Sequence, residues 1–154
     1  MPLPIHSAAP DFSLPSTSGE TFTLSLDQHG KPCIIYFYPK DFTAGCTKEA
    51  CEFRDQFAEF RTLDINIFGI SRDDIPTHLK FKAAHKLPFD LLSDASGTVA
   101  KQYDATVPLI GMNRRITYLL DGEHRIVAAF QDMFGAENHI QAMIAGMKAE
   151  GMKK

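Results

Sequence analysis

Two of the three cysteines of the chain, Cys46 and Cys51, lie five positions apart in the stretch FYPKDFTAGCTKEACEFRD, residues 37 to 55. This spacing fits neither a zinc knuckle nor a redox-active CxxC motif. The apolar residues around Cys46 recur with the period of a helix that begins after Thr43, which places Cys46 in the first turn. Unpaired backbone N–H groups and the positive end of the helix dipole favour a thiolate over a thiol there. The sequence therefore predicts a polarised sulfur at position 46.

The residues near Cys46 also suit a site that another molecule can approach. Thr43 occupies the N-cap position, where its hydroxyl is expected to meet free backbone N–H groups. Gly45 permits close approach to the backbone, and Pro39 ends the preceding strand and fixes the entry angle of the loop. The loop is expected to aim the sulfur outward from the carboxyl end of a central strand, where open α/β sheets place their sites.

Strands and helices alternate along the chain. Continuous apolar runs predict buried strands at 33–38 and 65–71. The helix that begins at Thr43 buries one face, made of Cys46, Ala50, Phe53, Phe57 and Phe60. Further predicted elements are an edge strand at 22–26, a helix at 75–86, a short strand at 87–93, a short helix at 97–103, hairpin strands at 116–120 and 125–130, and a closing helix at 136–150. This order predicts an α/β protein with a mixed central β-sheet flanked by helices on both faces, as in the thioredoxin fold.

Composition limits the class of protein. The 154 residues suit a single domain over 1–154, and the net charge of −3 with no long basic run argues against binding to nucleic acid or anionic membranes. The N-terminus lacks the features of a secretory signal, and no apolar run approaches the roughly 18 residues of a membrane span. The odd number of cysteines argues against a structural disulfide framework and favours a cytoplasmic protein with reduced thiols. No motif for a bound cofactor is present, so none is expected.

A family resemblance rests on the residues around Cys46. Pro39, Thr43 and Cys46 form the motif P-x-x-x-T-x-x-C of the peroxiredoxins. The longer stretch around this motif closely resembles the Q-type peroxiredoxins, also called bacterioferritin comigratory proteins. Four other stretches resemble the same family, namely APDFSLPSTSGETFTLS, FGISRDD, LPFDLLSD and RITYLLD. The resemblance covers residue 8 to about residue 132, nearly the whole chain.

The resemblance implies a thioredoxin fold and a thiol-dependent peroxidase. Cys46 would be the peroxidatic cysteine, which attacks the O–O bond of hydrogen peroxide or an organic hydroperoxide and becomes a sulfenic acid. Thr43 would hydrogen-bond the sulfur and the peroxide, and Pro39 would shield the sulfenate from water. These roles follow from the family motif.

The same resemblance assigns the active-site arginine to Arg115, which directly precedes the stretch ITYLLD. Arg115 would favour the thiolate of Cys46 and orient the peroxide, since an anionic sulfur and a peroxide oxygen both suit a guanidinium donor. Arg114 is the next candidate if the register differs by one residue. Glu49 matches a common family position and would hold the arginine.

In this family, a resolving cysteine five residues after the peroxidatic one is a known arrangement, which points to Cys51. On an ideal helix, however, five residues rotate by about 140° and rise by about 7.5 Å. A disulfide needs Cα atoms no more than about 7 Å apart. We therefore expect the first turns of the helix to unwind when Cys46 and Cys51 form a disulfide. Thioredoxin or a similar dithiol would then reduce it, acting on a monomer.

Other interpretations remain open. Cys51 could be an idle cysteine on the flank of the helix, and Cys33 is expected to be a small core residue of its strand. His78 and His85 share a helix face and are expected to be solvated rather than to bind a metal. The apolar segment at 103–113 is expected near the rim of the site, where it would favour organic hydroperoxides. The rival functions are a protein thiol–disulfide oxidoreductase and a redox sensor.

Overall fold

The computed structural model describes residues 2–107, 111–131 and 136–149. Its elements, in chain order, are β1 (Ser13–Pro15), β2 (Thr21–Thr23), α1 (Leu24–Asp27), β3 (Cys33–Phe37), α2 (Ala44–Asp55), α3 (Phe57–Thr62), β4 (Asn66–Ser71), α4 (Ile75–His85), β5 (Leu91–Ser93), α5 (Thr98–Gln102), β6 (Ile116–Leu120), β7 (Ile126–Gln131) and α6 (Ala136–Ala149). The predicted alternation of strands and helices is confirmed. Within these residues, no helix is both long and apolar enough to cross a membrane.

The main sheet has five strands in the order β5-β4-β3-β6-β7. Strands β3, β4 and β5 are parallel, and β6 and β7 run antiparallel to their neighbours. Parallel neighbours need a crossover between them, which α2 and α3 supply between β3 and β4, and α4 supplies between β4 and β5. The predicted mixed sheet with a terminal hairpin is therefore confirmed.

Strand β3 is buried on both faces because apolar layers cover both sides of the sheet. Cys33, Ile35 and Phe37 join one core cluster, which includes residues of α5 and of the β1–β2 hairpin. Ile34 and Tyr36 join the other, which includes residues of α2, α3, α4 and α6. Successive side chains of a strand point to opposite faces, so a strand covered on both sides reads as a continuous apolar run.

The edge strand predicted at 22–26 is only partly correct. Strand β2 ends at Thr23 and pairs with β1 in a separate two-stranded sheet, and the chain then turns into the short helix α1. The Asp27 carboxylate accepts a hydrogen bond from the Thr23 backbone N–H at 2.6 Å, and the Leu24 N–H donates to the Phe12 carbonyl. These contacts stabilise a helical turn where weak alternation predicted more strand.

Two other boundaries differ from the prediction. The helix that follows Thr43 is interrupted at Gln56, which separates α2 from α3. The predicted apolar face nevertheless packs against the sheet on both sides of the break, because Phe53 and Phe60 are both buried in the same cluster. The strand predicted at 87–93 is shorter and comprises only Leu91–Ser93.

Candidate active site

Three elements meet at the predicted site. Cys46 is the third residue of α2, lies in its first turn and is a free thiol that is only 1% exposed. Because β6 runs antiparallel to β3, with Phe37 opposite Ile116, the residue before Ile116 reaches the carboxyl end of β3. That residue is Arg115, 69 positions from Cys46 in the sequence. The sheet register therefore brings the guanidinium to the start of α2.

Arg115 bridges the thiol and a buried carboxyl group. Its Nη2 donates to Cys46 Sγ at 3.3 Å, and its Nη1 donates to Glu49 Oε1 at 2.7 Å. All three side chains are buried. Arg114 is only half-buried, and its backbone N–H bonds the Ala105 carbonyl. The structure thus brings together Cys46, Arg115 and Glu49, and the arginine that contacts the thiol is Arg115 rather than Arg114.

Burial sets the electrostatics of this group. Desolvation raises the pKa of Glu49 to about 7, although the Arg115 guanidinium acts in the opposite direction. Desolvation also acts to lower the pKa of Arg115, but Glu49 and Cys46 outweigh it and hold that pKa above its ordinary value. A cation is therefore fixed beside the sulfur inside the protein, where charge interactions are stronger than in water.

A histidine that sequence reasoning missed continues this network. Nδ1 of His139 lies 3.6 Å from Glu49 Oε2 and 2.8 Å from Thr117 Oγ1, and all three side chains are buried. His139 belongs to α6, near the buried residues Ile140, Met143 and Met147. Its position among these apolar residues was the feature of the sequence that could have indicated its burial. A histidine on an otherwise apolar helix face needs a buried polar partner.

The loop before α2 differs from the prediction in the role of Thr43. Thr43 is the N-cap residue, as expected, but its side chain makes no capping hydrogen bond. Its hydroxyl donates instead to the Lys40 carbonyl at 2.9 Å, which closes a turn within the loop. Phe42, which lies between Lys40 and Thr43, has a left-handed backbone with φ of 64°, a conformation that is uncommon for a bulky residue. Pro39, half-buried, follows the end of β3 as predicted.

The loop before α2 is also stabilised by a buried contact between Asp41 and His78, which the sequence did not predict. Asp41 Oδ2 lies 2.6 Å from His78 Nδ1, and His78 Nε2 donates to the Leu92 carbonyl at 3.0 Å. The Tyr38 hydroxyl donates to Asp41 Oδ1 at 2.5 Å. His78 is fully buried, so the expectation of a solvated histidine was wrong. Helical spacing on α4 could not show that Asp41 would provide a partner across the fold.

Asp73 completes this support. Its Oδ2 accepts from the Asp41 backbone N–H at 2.8 Å and from Ser71 Oγ at 2.6 Å. One ligand atom from each of Asp41, Asp73 and His78 lies within 4.8 Å of the others. Each of these atoms already has a hydrogen-bond partner within the protein, so we interpret the group as a structural network rather than a metal site.

The other two cysteines have different surroundings. Cys33 is fully buried in the core, as predicted, and burial raises the pKa of its thiol to about 12. Cys51 is half-buried, and its Sγ lies 3.9 Å from His85 Nδ1. Cys46 and Cys51 are both free thiols on an unbroken α2. The unwinding that a disulfide between them would need stays a prediction.

The segment at 103–113 is described only in part. Tyr103 is buried, and Met112 is exposed. Residues 108–110 lie outside the described residues. The predicted preference for organic hydroperoxides therefore stays a prediction.

Comparison with known proteins gives a consistent result. The family model described as AhpC/TSA matches residues 5–129. A chloroplastic peroxiredoxin Q from Oryza sativa subsp. japonica is 42% identical over 135 residues, which is 87% of this chain and 62% of that protein. The chain belongs to the AhpC/TSA family, as a peroxiredoxin of the Q type. The matched part of this chain covers less than two thirds of the length of the rice relative.

Solved structures of this family confirm the thioredoxin-like fold. Peroxidoxin BcpB from Mycobacterium tuberculosis superposes with a TM-score of 0.87 and 33% identity, covering 94% of this chain and 96% of that one. The bacterioferritin comigratory protein of Xanthomonas campestris, described with alkyl peroxide reduction activity, gives a TM-score of 0.84 and 31% identity. That match covers 96% of this chain and 97% of the other.

Proposed function

We propose that this chain is a thiol-dependent peroxidase that reduces hydrogen peroxide and organic hydroperoxides through Cys46. The observation that carries the proposal is the contact of 3.3 Å between Arg115 Nη2 and Cys46 Sγ in the first turn of α2. A guanidinium beside the sulfur favours the thiolate, which is the nucleophilic form of cysteine. Glu49 holds the other arm of the guanidinium, so the donor is positioned before any substrate binds.

The first step is attack of the Cys46 thiolate on the terminal oxygen of the hydroperoxide. The S–O bond forms as the O–O bond breaks, and the remaining oxygen leaves with a proton as an alcohol or as water. Negative charge develops on the leaving oxygen, which Arg115 can stabilise with its N–H donors. In this scheme the exposed Thr43 hydroxyl orients the peroxide, and Pro39 limits access of water to the sulfenate.

The second step joins Cys46 to Cys51. The Cys51 sulfur attacks the sulfenic acid, a disulfide forms and water leaves. Because the intact helix separates the two residues, α2 must unwind from its first turn, where helices are least stable. Unwinding also separates Glu49 from Arg115, which makes the buried pair a barrier to the step. Thioredoxin or a similar dithiol then reduces the disulfide, since such strained or exposed disulfides are the reducible ones.

Organic hydroperoxides are included because a relative with 31% identity is described with alkyl peroxide reduction activity. The test is to compare turnover of hydrogen peroxide with turnover of a bulky alkyl hydroperoxide by the same preparation. Measurable turnover of both supports the stated range of substrates. Failure with every alkyl hydroperoxide would restrict the proposal to hydrogen peroxide.

The peroxidase itself is tested by titrating thiols after one equivalent of peroxide. The three free thiols of the reduced chain are expected to fall to one, which is Cys33. Cys46→Ser is expected to abolish peroxide consumption, and Cys51→Ser to consume one equivalent and then stop as a sulfenate that is prone to overoxidation. Peroxide consumption by Cys46→Ser at the wild-type rate would refute the proposal.

Coupled turnover with thioredoxin, thioredoxin reductase and NADPH separates the peroxidase from its rivals. A peroxidase is expected to oxidise NADPH continuously in proportion to added peroxide. A redox sensor would form the disulfide once and be reduced only slowly. A thiol–disulfide oxidoreductase would exchange with protein disulfides without peroxide.

A further inference from the structure

Cys51 contacts a polar group outside its own helix. Its Sγ lies 3.9 Å from Nδ1 of His85, the last residue of α4. This distance is at the long end of the range for a hydrogen bond that involves sulfur, and the pair is partly buried. With its proton on Nε2, the imidazole presents the Nδ1 lone pair to the S–H group. In that tautomer, Cys51 faces an acceptor that can also take up its proton.

The surrounding residues hold the imidazole in place. Arg54, one turn after Cys51, donates from Nη1 to the His85 carbonyl at 2.9 Å and so joins α2 to the end of α4. The Phe81 ring packs edge-on against the imidazole with centroids 5.1 Å apart, and the Phe42 ring lies at 6.4 Å. Phe42 comes from the loop before Cys46. The contact between the thiol and the imidazole is thus built from three separate parts of the fold.

We propose that His85 is the general base for Cys51 in formation of the disulfide. The inference rests on the proposed function, in which Cys51 resolves the Cys46 sulfenic acid. Nδ1 takes the proton from the Cys51 thiol, and the thiolate attacks the Cys46 sulfur. The S–S bond forms as the S–O bond breaks, and the departing hydroxide takes the proton from the imidazolium to give water. The Cys46 sulfur is reduced, the Cys51 sulfur is oxidised, and His85 returns to its neutral form.

The packing of α2 indicates that Cys46, rather than Cys51, moves when the disulfide forms. Phe53, two residues after Cys51, is fully buried and stacks on Tyr36 with centroids 4.7 Å apart. Residues 43 to 45, before Cys46, are exposed. Unwinding from the exposed end brings Cys46 toward Cys51, while Cys51 stays near His85. His85 can act as the base only if the Cys51 thiol remains beside it, and unwinding in this direction keeps it there.

Charged and titratable groups near His85 also affect any rate that depends on its protonation. From α2, Cys51 and the guanidinium of Arg54 face it. From the loop before α2, the neighbour is the uncharged ring of Phe42. On its own helix, Lys82 is paired with Asp90 at 2.8 Å, and Lys86 is exposed at the C-cap. The contribution of His85 to a rate is therefore obtained by comparing proteins that differ only at position 85 and retain all of these groups.

The first experiment measures alkylation of Cys51 by iodoacetamide in Cys46→Ser protein, where the remaining cysteine, Cys33, is buried. His85→Phe keeps a ring in the aromatic cluster but removes the base, and it is expected to slow alkylation at pH 7 about tenfold. His29→Phe, at an exposed histidine, is the matched control and is expected to react like the parent. His85→Asn keeps an acceptor but cannot take the proton, and it is expected to be as slow as His85→Phe.

The pH profile separates a base from a steric effect. The His85→Phe deficit is expected to shrink as the pH rises, because hydroxide then replaces the imidazole as the base. An equal rate at pH 7, a deficit of constant size across the pH range, or a full rate in His85→Asn would each overturn the proposal.

The second experiment follows the Cys46 sulfenate in otherwise unaltered chains after one equivalent of peroxide, by trapping with dimedone. His85→Phe is expected to slow disulfide formation about tenfold and to increase trapped sulfenate. A normal sulfenate lifetime in Cys51→Ser would show that the proposed resolving step is wrong. A prolonged lifetime in Cys51→Ser with a normal one in His85→Phe would refute only the role of His85.

Discussion

Cys46 and Cys33 are both buried, yet their surroundings differ in one decisive respect. Cys33 lies in the apolar core, where burial raises the pKa of its thiol to about 12 and keeps it protonated. Cys46 is also almost inaccessible, but Arg115 donates to its sulfur at 3.3 Å. Burial alone therefore produces an inert thiol. Burial beside a guanidinium that a carboxyl group holds in place gives the sulfur of Cys46 a cationic hydrogen-bond donor.

The largest expected effect comes from making the surroundings of Cys46 resemble those of Cys33. Arg115→Gln removes the cationic donor and is expected to slow the reaction of Cys46 with peroxide about 100- to 1,000-fold. Stopped-flow measurement of sulfenate formation gives the rate. Arg114→Gln is the matched control, since Arg114 is half-buried, and it is expected to react near the wild-type rate. A rate within about threefold of wild type for Arg115→Gln would remove the main distinction between the two cysteines.

The carboxyl group that distinguishes the Cys46 site is expected to affect stability as a function of pH. Burial raises the pKa of Glu49 from 4.5 to about 7, so the folded protein binds this proton more tightly than the unfolded chain does. The contribution to stability is present below pH 4.5 and is lost as the pH rises through 7. With about 1.4 kcal/mol for each tenfold change in proton affinity, it amounts to on the order of 3 kcal/mol.

Glu49→Gln imitates the protonated carboxyl group and is expected to abolish this part of the pH dependence. Urea unfolding of both proteins at pH 5 and pH 8 measures it. The free energy of unfolding of wild type is expected to decrease relative to that of the variant as the pH rises. An identical difference between the two proteins at both pH values would contradict the assignment.

A smaller effect is expected from crowding the guanidinium. A Cβ at Gly45 would lie 3.0 Å from Arg115 Nη2, so Gly45→Ala must displace the guanidinium by a few tenths of an ångström. We expect the reaction with peroxide to slow several-fold, because the donor is misplaced relative to the sulfur. The melting temperature should not fall, because alanine favours the helix by about 0.5–1 kcal/mol. Ala44→Gly, at the exposed neighbour, controls for helix propensity; an unchanged rate in Gly45→Ala would show that the guanidinium position is not critical.

The smallest effect on activity is expected at Cys33. Cys33→Ala is expected to react with peroxide within about twofold of the wild-type rate, because the thiol it removes is protonated and enclosed. Its free energy of unfolding should decrease by about 1 kcal/mol, since the substitution leaves a small void in the core. Stopped-flow kinetics and urea unfolding measure the two quantities. A tenfold loss of rate would mean that Cys33 takes part in the reaction.

The sequence alone determined the parts of the site that depend on local order. Pro39, Thr43 and Cys46 follow one another within a single loop and helix start, and a run of apolar residues was enough to place β3 before them. The family resemblance supplied Arg115, whose position relative to β6 could be read from the stretch that follows it. Local periodicity and motif spacing are properties of neighbours in the chain, so one sequence can reveal them.

Only the tertiary structure decided which distant groups meet. The burial of His78 against Asp41, the contact of His139 with Glu49 and the approach of His85 to Cys51 join residues 34 to 90 positions apart. The Thr43 hydroxyl also turned to a loop carbonyl instead of capping the helix. These contacts depend on how α4 and α6 pack against the sheet, and a buried polar group bonds whichever partner that packing provides. The spacing of residues along one element contains no information about that choice.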